Sequence, residues 1–267
     1  MKKYKLVESE LNSEAIRVLS FIKEDYYKFM SNKNKEKIDR LIKEESVVVV
    51  DEGISNFNDN TLAHGGRTLN DGKIHFYPDA TAIKSYEKIL ETCKKLLPHE
   101  CFHYFIQPDN IKFNSDKAEK MAHFYTEGLV EKEARKFSER HSLIKQVSFE
   151  KANYGFNINF VNNIQEKLRA SDYETIFSES DYLKNIENYE EEYKSVLKKK
   201  DDLFNSAYQI LEFFPKDKQD RIYDKMKSMI LQDGNANSLR KNLRDISNIN
   251  QLHMKELDEC DSEIAEK

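Results

Sequence analysis

Residues 98–104 read Pro98-His99-Glu100-Cys101-Phe102-His103-Tyr104. Two histidines four positions apart, with a glutamate directly after the first, form the pattern HExxH. An α-helix has about 3.6 residues per turn, so positions four apart lie about 40° from each other on one face. His99 and His103 on such a helix present two imidazoles to one metal ion. Glu100, beside them, can hydrogen-bond a metal-bound water without itself ligating. Two ordinary histidines at chance spacing would share this pattern, so the flanking sequence has to separate the two cases.

Upstream, Ile83, Tyr86, Ile89, Leu90, Cys93, Leu96 and Leu97 recur at helical spacing. Pro98 interrupts them: either the helix kinks there or a new helix starts with proline in its first turn. Downstream, the polar connection 107–116 leads to a second helix, expected over about 115–140 and containing MAHFYTEGLVEKEARKF at 121–137. A catalytic zinc keeps three protein ligands and one open position for water. Glu127, which lies 24 residues beyond His103, is far enough away for a turn and a returning helix to bring it back as the third ligand. His123, four positions before Glu127, is a rival for that place. Glu131, four positions after it, can accept the free N–H of a metal-bound imidazole and fix its tautomer. Arg135 is expected to pair with Glu131 along the helix, and Glu133, on another face, to be solvated. Cys101 lies two residues from each histidine and so points to the opposite side, as a core thiol. No cysteine is phased to close a fourth ligand position, which favours an open, catalytic site over a structural one.

HECFH followed by TEGLVE resembles the gluzincins, zinc metallopeptidases of the thermolysin-like kind. The resemblance spans about residues 73–140 and implies Zn²⁺ held by His99, His103 and Glu127, the last directly before Gly128. It further implies Glu100 as the general base of peptide-bond hydrolysis, Glu131 behind a ligand histidine, and a peptide or protein substrate. It also implies a β-strand before the motif helix, at the edge of a small sheet, where substrate backbone pairs; Lys73–Tyr77 matches in order and distance. An amide in a smaller molecule would suit the same chemistry. The chain departs from the family pattern at Pro98, directly before the first ligand, and in its oxyanion donor, a role for which Tyr154, His141 and Tyr77 compete. His64, before two glycines, is expected to be a loop histidine.

The remaining sequence sets the frame. With only 7 Gly and 4 Pro in 267 residues, helices should be long. The short β-branched run at 46–50 and the alternation at 73–77 are the expected strands, the second near an edge because Pro78 cannot continue a ladder. Helix is expected over 10–45 and, beyond residue 157, over 159–168, 182–214, 218–232 and 238–266. The fold class is therefore α+β, mostly helical. Residues 1–157 should form a zincin-like part with the small sheet and the HExxH helix. Residues 158–267 should form an all-helical part that completes the cleft or binds a partner. The net charge is -5 with basic residues dispersed among acidic ones, which argues against nucleic acid. No apolar run is long enough for a membrane span. The three cysteines form no disulfide framework, and no signal-peptide pattern follows Met1. A cytoplasmic location is expected, with signal-independent export left open. The sequence carries no signal for an oligomeric state. The alternative to an enzyme is a helical binding or regulatory protein whose metal site is vestigial or structural.

Overall fold

Val7, Leu11, Ala15, Val18, Leu19, Ile22 and Tyr26 recur every three or four residues, and all are buried. They form the inward face of α1 (Lys2–Tyr26), which begins well before the expected residue 10. The computed structural model describes residues 2–50, 66–68, 72–76, 86–106, 111–143, 154–168, 183, 185–212 and 214–235. A 3-10 turn at Tyr27–Phe29 separates α1 from α2 (Asn32–Leu41), where the Ser31 hydroxyl accepts the Asn34 N–H.

The sheet contains β1 (Val47–Val49), β2 (Gly66–Thr68) and β3 (Ile74–Phe76), in the order β1-β3-β2. β3 is parallel to β1 and antiparallel to β2. The expectation that the 73–77 strand lies near an edge is therefore corrected: β3 is the central strand. Pro78 bears on where the ladder stops along the chain, whereas strand order is set by pairings with distant segments. Tyr77 itself lies outside the described residues.

The outer edge of β1 is closed by α1. The Asn12 carboxamide accepts the Val47 N–H at 2.8 Å and donates to the Val47 carbonyl at 2.9 Å, copying the pairing of a neighbouring strand. Glu8 accepts the Val49 N–H at 2.9 Å. An edge that would template another chain is thereby occupied by side chains. At the opposite edge, β2 lies against α3 (Tyr86–His103).

α3 runs through Pro98 as one helix, so Pro98 does not start a new one. Proline has no N–H, which leaves the Lys94 carbonyl without its helical donor. Ile89, Cys93, Leu97 and Cys101 form the core-facing stripe of this helix, and both cysteines are free buried thiols. α4 (Asp116–Arg140) starts at Ser115, whose hydroxyl accepts the Ala118 N–H at 3.1 Å, with Asp116 and Glu119 in the favourable first turn. It crosses α3 and is buried on most sides through its middle. α5 (Gly155–Leu168) packs on α4. A 3-10 turn at Ile186–Tyr189 leads into α6 (Glu190–Leu211), and α7 (Lys216–Asp233) follows Pro215 and ends at Gly234. α5 contacts both α6 and α7, and residue 157 falls inside it. The expected helix at 238–266 lies outside the described residues. The described chain is thus α+β and mostly helical, and none of its helices is long and apolar enough to cross a membrane.

Asn12→Leu removes both partners of Val47 and puts an apolar side chain of similar size in their place. Leaving a buried donor and acceptor unmade costs about 1–3 kcal/mol each, so the urea midpoint should fall clearly at unchanged m-value. An unaltered midpoint would show that Asn12 does not hold the β1 edge.

Candidate metal centre

His99 and His103 occupy the last two turns of α3, and Glu127 faces them from the middle of α4. The two Nε2 atoms are 3.0 Å apart. One Glu127 oxygen is 3.4 Å from His99 Nε2, and the other is 3.6 Å from His103 Nε2. Donors placed tetrahedrally about 2.0–2.1 Å from one ion are separated by about 3.3 Å, and the three distances bracket that value. Two imidazole lone pairs cannot bond each other, so a proton or a cation has to lie between the two nitrogens. Among the described residues, His99, His103 and Glu127 are the group able to hold a metal ion.

Behind these three residues the polar contacts continue. His99 Nδ1 donates to Glu131 Oε2 at 2.9 Å, and Glu131 Oε1 accepts from Arg135 Nε at 2.7 Å. The Nδ1–H bond leaves Nε2 facing Glu127 and His103, where it would offer a lone pair to a metal ion once that nitrogen gives up its proton. His99 and Glu131 are only 7% and 4% exposed. Burial works to lower the His99 pKa, but hydrogen bonds and charge from Glu127 and Glu131 outweigh it and raise the value well above the ordinary one. Burial also works to raise both carboxylates. His103 and His99 nevertheless hold Glu127 well below the usual carboxylate range, and His99 and Arg135 hold Glu131 below it. Both carboxylates therefore stay ionised at neutral pH, the state that a metal ligand and its supporting acceptor would need.

Gly128 explains how α5 reaches this centre. A Cβ at position 128 would overlap the backbone carbonyl of Asn157, so only glycine lets α5 come this close to α4. Asn157 Nδ2 also donates to the Phe124 carbonyl at 3.0 Å. Tyr154, directly before α5, is thereby laid over the site: its ring stacks on His99 with centroids 5.2 Å apart and planes 26° from parallel. Its pKa is raised first by burial, then by the charges of Glu127, Glu131 and Glu100, with Glu127 close to its hydroxyl. Glu100, 5% exposed, thus acts electrostatically on the same tyrosine hydroxyl as the two carboxylates of α4.

Other sequence candidates fall elsewhere. His123 does not join the ligand group. Met121, Ala122, Tyr125 and Leu129 take the buried face of α4 there, which leaves His123 half exposed with Nε2 3.9 Å from Glu119. His141 caps the far end of α4, bonded to Asp25 at 2.8 Å and stacked on Phe21, and so does not face the centre. Glu133, expected in solvent, is buried because Tyr26 of α1 covers it; the Tyr26 hydroxyl donates to it, and Arg140 approaches within 3.7 Å. His64 and Tyr77 lie outside the described residues. Of the three oxyanion-donor candidates, Tyr154 is the one brought to the centre among the described residues. Spacing gave no basis for choosing it; a glycine after Glu127 that admits a crossing helix was the available signal.

No protein-family model matches the chain, and no curated protein or solved structure matches it.

Titrated with zinc against a chromogenic chelator, Glu131→Gln should bind about 10–100-fold more weakly than wild type. Glu127→Ala should lose more than that, and His123→Ala nothing. Equal losses from Glu127→Ala and His123→Ala would overturn the ligand assignment.

Proposed function

We propose that this protein is a zinc-dependent hydrolase that cleaves a peptide bond, with His99, His103 and Glu127 holding the ion. The observation that carries this is the set of donor separations, 3.0, 3.4 and 3.6 Å, on a helix that also bears Glu100. Two imidazoles and one carboxylate suit zinc, and a neighbouring glutamate supplies the base that hydrolysis requires. The ligand group has three members among the described residues, which fits a catalytic site with an open position better than a closed structural one.

Zinc bound there would lower the pKa of its water toward ~7. Glu100 takes the water proton as the oxygen attacks the carbonyl carbon and forms the new C–O bond. Glu100 then delivers that proton to the nitrogen as the C–N bond breaks, so the leaving group departs as a neutral amine. Glu131 and Arg135 keep His99 in the tautomer that serves the ion. Tyr154, with its ring on His99 and its hydroxyl near Glu127, is the donor for the developing oxyanion. An extended substrate fits the sheet as well. Asn12 and Glu8 close the β1 edge, whereas β2 pairs with β3 alone among the described residues and lies beside α3. A peptide backbone adding to β2 would run next to the helix that carries the histidines.

Glu100→Gln keeps size and hydrogen bonding but removes the base. Against a peptide library the variant should lose about 10²–10⁴-fold in rate while retaining zinc and its thermal midpoint. Full hydrolysis by Glu100→Gln would exclude this mechanism, and a binding protein would be indifferent to the change.

A further inference from the structure

We infer that the C-terminal helical pair α6–α7 is built into the metal centre through a glycine–glycine contact, and that Gly234 and Asn159 are positioning residues for Tyr154. This inference rests on the metal-site assignment above.

The contact lies one residue from Tyr154. A Cβ on Gly155 would overlap the backbone of Asp233 and Gly234, and a Cβ on Gly234 would overlap the Gly155 carbonyl. The two chain segments therefore touch backbone to backbone, which no other pair of residues permits. Gly234 ends α7 in the left-handed conformation, with φ at 60° and its N–H bonded to the Ile230 carbonyl at 2.9 Å. Its own carbonyl accepts from Asn159 Nδ2 at 2.7 Å, one turn into α5. The first turn of α5 is thus fixed on two sides. Gly128 and the Asn157–Phe124 bond hold it to the ligand helix α4, and Gly234 and Asn159 hold it to α7.

Tyr154 is placed by that turn. Its ring can lie on His99, with its hydroxyl beside Glu127, only if α5 begins where these contacts put it. Closing two helices together could be achieved anywhere along α5; here a backbone-to-backbone contact falls at the residue next to the tyrosine. A neighbour that orients a metal ligand is worth about 10–100-fold in metal affinity, so displacement of Tyr154 should be readable in zinc binding without any substrate.

The test is a double-mutant cycle on the full-length protein, read as the zinc dissociation constant by chelator competition. Tyr154→Phe should weaken zinc binding about 10-fold. Gly234→Ala should weaken it to a similar extent in the wild-type background and add nothing in the Tyr154→Phe background, because both act on one contact. Asn159→Ala, the milder change, should repeat the pattern with a smaller loss, and it decides the matter if Gly234→Ala fails to fold. The inference is overturned if the effects add, if Gly234→Ala and Asn159→Ala leave affinity untouched, or if Tyr154→Phe itself has no effect; in each case the metal site stands. A wild-type protein that binds no zinc overturns the metal-site assignment and this inference together.

Discussion

Glu131 is a carboxylate buried between an imidazole and a guanidinium, and the geometry of the centre depends on it. Taking such a charge out of water costs several kcal/mol unless it is paired and hydrogen-bonded. His99 takes one oxygen and Arg135 the other, so the charge is compensated from two helices at once. Through this contact the α3–α4 crossing fixes both the rotation of the His99 ring and the nitrogen that carries its proton. Removing Arg135 would leave Glu131 with one buried partner, and removing Glu131 would leave His99 free to choose its tautomer. The remaining contacts of the site are arranged around that pairing: His103 one turn on, Glu127 one turn back, and Glu100 beside His99.

Three glycines do the complementary work in the backbone. Gly128, Gly155 and Gly234 each stand where a Cβ would overlap a neighbouring segment. Together they bring α5 against α4 on one side and the end of α7 on the other. The N-terminal and C-terminal parts of the chain therefore meet at one helix, and the residue at the head of that helix stacks on His99. A boundary near residue 157 marks where the composition becomes wholly helical, but α5 runs across it.

What could be read from the sequence followed from local periodicity. His99 and His103 share a face because helical spacing is independent of the rest of the fold, and Glu127 and Glu131 share one for the same reason. The core stripes of α1 and α3 are equally local. What escaped were contacts between distant segments. The strand at 74–76 reads as an edge because proline follows it, yet its pairings with β1 and β2 put it at the centre of the sheet. Asn12 gives no sign in sequence that its amide will stand in for a strand. Glu133 looks solvent-facing until Tyr26, more than a hundred positions away, packs over it. Tyr154 was one of three candidates for the same role; the close approach at Gly128 brings it to His99, whereas His141 is held against Asp25 and Phe21.

The central claim is that His99, His103 and Glu127 hold one zinc ion. Elemental analysis of the protein purified without added metal or chelator, for wild type and His103→Ala, tests it most directly. The account predicts one zinc per chain in wild type and loss of it in His103→Ala. No metal in either protein, with no uptake after zinc is supplied, would contradict it and leave the two facing imidazoles as an internal contact of a mainly helical protein.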